Sequence, residues 1–255
     1  MDELLANGYQ FDMSKYFGDG WDLLKKGIGG YIGFTVVFFI LIIVLAFIPF
    51  VNLLLGIIEY VLLAGFYIYS RNLTNNKQEF AQFFEGFNSF GQIFLFGLTI
   101  LAFSLPAIIL FFVAVIPEGF VETIISGIND PEYLAEELID LFIGNWANIF
   151  YAYIFMLLYF LYLYVSYSFA IPLIVDRKMG FWDAMELSRK VIAINFFYFA
   201  GMYILVGIIV TVATIMTCGV GIIIAFPFTY TLIFSAYDNI IGPEESVSEA
   251  NVVEE

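Results

Sequence analysis

The sequence predicts an all-α, polytopic membrane protein. Its six transmembrane helices form three repeats of a cytoplasmic amphipathic helix followed by a transmembrane hairpin. Three observations predict this. First, the 255 residues are 62% hydrophobic and only 13% charged, against about 25% charged in a typical soluble domain, so most of the surface must face hydrocarbon. Second, six runs of about 20 apolar residues, each long enough to cross a ~30 Å core, fall at 30–49, 51–69, 93–116, 149–171, 196–218 and 220–237. Third, all nine basic residues fall on one side of these runs.

The N-terminal stretch before Lys15 is acidic and lacks an apolar core, which does not fit a cleaved signal peptide. Spans one and two are joined only by Pro49, Phe50 and Val51, and spans five and six meet at Cys218-Gly219, so both pairs must be tight hairpins. Gly29-x-x-x-Gly33 in span one is a small-xxx-small motif suited to close helix contact. Lys15, Lys25 and Lys26 precede span one. Arg71 and Lys77 lie between spans two and three, and Arg177, Lys178, Arg189 and Lys190 between spans four and five. By the positive-inside rule that side and both termini are cytoplasmic, in the plasma (inner) membrane of a prokaryote. The long loop on the other side, 117–148, carries Glu118, Glu122, Asp130, Glu132, Glu136, Glu137 and Asp140 and no base. Within it Asp130 suits an N-cap, Pro131 a first helical turn and Gly144 a helix end. Trp21, Trp146 and Trp182 sit near span ends as interfacial anchors. Residues 242–255 read as an acidic, disordered tail after a single membrane domain, 1–241.

The repeat is read from a shared register. Phe17, Phe80 and Phe181 form one column; Trp21, Phe84 and Met185 follow four residues on, then Asp22, Glu85 and Glu186, then Leu24, Phe87 and Ser188. Asp19, Gln82 and Asp183 align, as do Lys26, Ser89 and Lys190. At ~100° per residue the apolar columns form one stripe and the polar columns another. The aromatic columns should therefore face the bilayer or the bundle, and the Asp22/Glu85/Glu186 column water.

Few residues could carry chemistry. The chain has no His and one Cys, which excludes His-ligated metals, Ser–His and Cys–His nucleophiles, redox pairs and internal disulfides. Cys218 reads as a small apolar filler. The net charge of −15 argues against nucleic acid. Glu59, near the middle of span two, is costly there; it is either a proton, cation or substrate site or a protonated inter-helix hydrogen bond. Span four is rich in tyrosine, and Tyr159 and Tyr162 could line a polar cavity or an amphiphile groove, or serve packing. Pro106, Pro172 and Pro227 permit kinks, which mark binding sites in some transporters. Asp176, Asp183 and Glu186, accompanied by bases, read as a solvated face. No cofactor motif is present.

Two stretches carry a resemblance. One is Ser168-Phe-Ala-Ile-Pro-Leu-Ile-Val-Asp-Arg-Lys with Ala184-Met-Glu-Leu-Ser-Arg-Lys. The other is Cys218-Gly-Val-Gly with Pro227 and Tyr237 downstream. From about Tyr16 to Ile241 the chain resembles uncharacterised bacterial and archaeal six-helix integral membrane protein families, including the membrane domain that precedes some glycerophosphodiester phosphodiesterases. The resemblance implies a fold. The phosphodiesterase activity does not carry over, because this chain has neither that catalytic domain nor a His. The expectation is a non-enzymatic membrane protein, an accessory or scaffold component that contacts the lipid bilayer headgroups, a membrane-protein partner or a second copy of itself. The alternative is a transporter or channel for a small solute or lipid centred on Glu59.

Overall fold

The computed structural model describes residues 2–48, 55–127 and 131–242. The link 49–51, the N-cap position Asp130 and the tail beyond Gly242 lie outside the described residues. The described chain is helical throughout, with no strand among the described residues. Four of its helical stretches are long and apolar enough to cross a membrane: Ile28–Ala46, Phe80–Val115, Trp146–Asp176 and Phe196–Met216. Twelve α-helices follow in order: α1 (Asp2–Asn7), α2 (Met13–Lys26), α3 (Ile28–Ala46), α4 (Leu55–Thr74), α5 (Phe90–Val115), α6 (Phe120–Gly127), α7 (Pro131–Gly144), α8 (Trp146–Ser166), α9 (Ala170–Asp176), α10 (Phe181–Ile194), α11 (Phe196–Met216) and α12 (Ile222–Ile240). A 3₁₀ helix, Phe80–Ser89, leads into α5. Helices α4 and α12 have 20 and 19 residues but are not among the four. Charged and polar groups (Glu59, Arg71 and Asn72 in α4; Asp238 and Asn239 in α12) dilute their apolar runs.

The described residues fall into two compact units, one formed by the chain up to Leu98 and from Val165 onward, the other by Thr99–Tyr164. In the first, α2 lies against α12, the 3₁₀ helix against α4, and α10 against α9. Glycine makes two of these approaches possible. A Cβ on Gly20 would meet the backbone of Leu232, and one on Gly65 would collide with the Phe83 carbonyl. Of the small-xxx-small pair, Gly29 faces open space and Gly33 lies against the Phe80 ring, while Gly30 sits under the Tyr69 ring.

The core of this unit is aromatic. Phe83 stacks on Tyr69 (centroids 4.1 Å) and on Phe34 (4.3 Å), and Phe66 on Tyr230 (5.0 Å). Tyr31 Oη donates to Ser70 Oγ (2.6 Å), which donates to the Phe66 carbonyl (2.7 Å), so the polar tips are satisfied inside the ring cluster. The N-terminal segment is tied down as well. Tyr9 Oη donates to the Val191 carbonyl, and Asn195 Nδ2 donates to the Tyr9 carbonyl, both at 3.0 Å.

Several expectations are corrected. The 77–89 stretch is a 3₁₀ helix from Phe80, so Gln82, Phe83 and Gly86 are buried while Phe84 and Phe87 stay exposed. Gln82 lies with Phe83 and Gly86 on the side packed against α4, not on the expected polar face. Span four does not run unbroken to 171. It stops at Ser166 and restarts at Ala170, because Pro172 has no N–H for the carbonyl four residues back. The buried Ser188 hydroxyl of α10 fills the gap: it donates to the Ser166 carbonyl (2.8 Å) and accepts from the Phe169 N–H (3.1 Å). Cys218 is exposed, not a packed filler, and holds a left-handed φ of 50° in the turn that links α11 to α12.

Candidate functional site

Three helix ends of the first unit meet around Arg71. It lies in the last turn of α4, after an apolar run that ends at Tyr69. Asp176 closes α9, and Asp238 lies in the last turn of α12. Arg71 Nε donates to Asp176 Oδ1 and Nη2 to Asp176 Oδ2, each at 2.8 Å, a two-pronged pair that matches the planar fork to the carboxylate. Arg71 Nη1 donates to Asp238 Oδ1 at 2.5 Å. Tyr237 Oη donates to Asp176 Oδ2 at 3.0 Å, and the guanidinium lies over the Phe234 ring at 4.9 Å. The side chains of Arg71 and Asp176 are only 15% and 16% exposed, so the expectation of a solvated face fails for Asp176. Removal from water makes unpaired charge costly, and each of these charges is paired.

Two more bases hold the same end. Lys26 Nζ donates to the Leu73 carbonyl (2.8 Å) and to Asn76 Oδ1 (3.0 Å), and Arg177 Nη2 donates to the carbonyls of Ile241 (2.9 Å) and Gly242 (3.1 Å). Cations at helix C-termini satisfy orphan carbonyls and favour the helix dipole. Beside the ion pair is a cleft of about 180 Å³ lined by Arg71, Asn72, Glu85, Asn88, Asp176 and Lys178. Because Arg71 already gives its donors to two carboxylates, this end acts as a structural clasp. Sequence reasoning missed it. The available signal was one Arg and two Asp, each placed just past an apolar run and all on one predicted side.

The repeat columns are partly exposed as expected. Asp22 and Glu85 are exposed, while Glu186 is half-buried and paired with Arg189 (2.9 Å) and Lys190 (3.3 Å). Those neighbours hold the Glu186 carboxyl below its usual range, through hydrogen bonds from Arg189 and then Lys190. Of the apolar columns, Leu24, Met185 and Ser188 are buried, whereas Trp21, Phe80, Phe84 and Phe87 present exposed rings.

Of the expected site residues, Glu59 lies in the first unit and Tyr159 and Tyr162 in the second. Glu59 is half-buried in α4; beside it the Tyr60 ring packs edge-on against Phe96 at 5.1 Å. Glu59 lines neither the cleft above nor the groove described next. Tyr159 Oη donates to the Phe103 carbonyl at 2.9 Å, a bond from α8 to the stretch of α5 that Pro106 loosens. Tyr162 is exposed. Tyr159 thus links α8 to α5.

In the second unit, the end of α5, helix α7 and the start of α8 enclose a groove of about 960 Å³. Leu110, Val113, Ala114, Ala152 and Phe155 form its apolar wall, and Glu118, Glu137 and Asp140 its polar part. Asn145 Nδ2 donates to the Ala114 carbonyl (2.9 Å), and Asn148 Nδ2 to Asn145 Oδ1 (2.8 Å). Among the described residues no three His, Cys, Asp or Glu side chains gather as a metal site. No family model matches the chain, and no curated protein or solved structure matches it either.

Proposed function

We propose that the chain is a non-enzymatic, six-span membrane scaffold of the prokaryotic plasma membrane, with both termini cytoplasmic, whose belt of amphipathic segments contacts lipid headgroups. One observation carries this reading: the belt segments expose large rings next to lysines. Trp21 and Trp182 are 47% and 56% exposed, and Phe80, Phe84 and Phe87 are exposed beside them in kind. Lys25, Lys77, Lys178 and Lys190 lie in or next to the same segments. Rings with polar edges and long cationic stems suit the headgroup layer. Helices α4 and α12 complete six crossings in this reading, their charged ends Arg71 and Asp238 reaching the interface. The threefold repeat is supported by one recurring relation. Each amphipathic segment packs against the second helix of the hairpin before it, taken cyclically: 3₁₀ helix on α4, α10 on α9, α2 on α12.

The test is depth-resolved tryptophan quenching in liposomes, using variants that keep one tryptophan each. Trp21 and Trp182 should be quenched most by lipids labelled next to the headgroup. Equal quenching by mid-chain labels, or none by either, overturns the reading. Orientation is tested separately in a Cys218→Ser background. A cysteine placed at 135 should react with an impermeant reagent in intact cells, and one at 75 only after lysis.

A further inference from the structure

The groove of the second unit, about 960 Å³, lies within the ~300–1,000 Å³ range of small-molecule sites. Its chemistry is one-sided. The whole stretch Thr99–Tyr164 contains no Lys, Arg or His, so nothing in it complements an anion. The polar lining offers acceptors. Glu118, Glu137 and Asp140 are carboxylates, while Asn145 donates its amide N–H to the Ala114 carbonyl and accepts from Asn148 at its Oδ1. Two helices also end there, α5 at Val115 and α7 at Gly144, neither with a basic residue in its last turn. Their C-terminal carbonyls add partial negative charge, offset in part at α5 by the Asn145 amide. The apolar wall, from Ala114 to Leu110 on α5 and from Ala152 to Phe155 on α8, continues away from the carboxylates along two helices.

From this pairing of an apolar trough with an anionic mouth, we infer that the groove binds a cationic amphiphile. The ligand class is a single alkyl chain ending in an ammonium group. The chain lies along Leu110, Val113 and Phe155, and the ammonium sits among Glu118, Glu137 and Asp140. The carboxylates line the mouth without gathering into a metal cluster, which suits a bulky organic cation better than a metal ion. Charge complementarity fixes the sign of the ligand and the apolar wall its shape. The inference is independent of the scaffold reading, because it uses only residues of the second unit.

The experiment uses the full chain in nanodiscs of zwitterionic lipid, with empty nanodiscs as baseline. Equilibrium binding is measured for dodecyltrimethylammonium below its micellar range, beside dodecyl sulfate and dodecyl maltoside. The cation should bind saturably and at least about tenfold more tightly than the other two, a difference of ~1.4 kcal/mol. Glu137→Gln with Asp140→Asn should weaken it about tenfold. Ala152→Trp, which fills the apolar wall and keeps every charge, should weaken it as well. Non-saturable uptake, equal binding of the three amphiphiles, or unchanged binding in the well-folded variants overturns the inference. A lysine-rich peptide that displaces the cation at lower concentration also overturns it, in favour of a polypeptide ligand. The wild-type charge series stands even if a variant does not fold.

Discussion

Arg71 and Asp176, 105 positions apart, form a two-pronged ion pair with both hydrogen bonds at 2.8 Å. It ties the end of α4 to the end of α9, and Asp238 adds α12 to the same guanidinium. Arg71→Ala leaves two carboxylates without a cation, Asp176 with only the Tyr237 hydroxyl, and should cost on the order of 3 kcal/mol. Arg71→Lys keeps the charge but loses the fork, and should recover only part of that. Melting in detergent for Arg71→Ala, Asp238→Asn and the pair gives the coupling. Additive effects would mean that the two side chains do not interact.

Ser188 should be as sensitive as a far larger residue. Ser188→Ala leaves the Ser166 carbonyl and the Phe169 N–H without their partner at a buried site, at about 1–3 kcal/mol each. Amide exchange should quicken at 166–170 while α11 keeps its protection. An unchanged exchange pattern would show that the helix break is held by other means.

Two glycines predict opposite outcomes. Gly65→Ala drives a methyl into the Phe83 backbone, which cannot move aside as a side chain could, so a loss of about 3 kcal/mol, the upper end for overpacking, is expected. Gly201→Ala in α11 meets open space and should be neutral or stabilising by about 0.5–1 kcal/mol. Melting temperatures that move together would contradict the packing of the 3₁₀ helix on α4.

The Tyr159 bond is worth less. Tyr159→Phe removes one inter-helix hydrogen bond to Phe103, and such bonds average about 0.6 kcal/mol in membrane bundles. A small drop in melting temperature, with dodecyltrimethylammonium binding unchanged, is expected. Loss of amphiphile binding would return Tyr159 to the ligand role first considered for it.

Glu186 predicts a pH effect at the acidic end. Its carboxyl titrates below the ordinary value of 4.5 in the folded state, because of hydrogen bonds from Arg189 and Lys190. A depressed folded value contributes stability that is present above 4.5 and lost as pH falls through the folded value. Exchange protection of α10 should fall with acidification in that window, and Glu186→Gln should abolish the dependence.

Much of the fold was legible because apolar periodicity and end signals agree. Pro131 and Gly144 bound α7 as anticipated, and α2, α5 and α11 begin and end within a few residues of the runs that predict them. The 3₁₀ segment was not legible, since the phenylalanines at 80, 83, 84 and 87 fit a 3.6-residue period and no residue marks the tighter turn. The clasp was less legible still. Arg71, Asp176 and Asp238 each look like a charge reaching out from the end of an apolar run, and only the packing of α4, α9 and α12 makes them one group. Glu59 drew attention for its depth in span two, but the cavities described here are lined by other residues.

The clasp also imposes an order on the making of the protein. When Arg71 is added to the growing chain, its first partner is 105 residues from being synthesised and its second 167. Through that interval the arginine must be hydrated, and α4 has no ionic anchor. Only when the last turn of α12 has been made can the three helix ends lock, and the same event seats Leu232 over Gly20. A chain stopped before residue 238 would carry an arginine with one carboxylate in place of two and an uncovered α2, a form that membrane proteases could tell from the finished protein.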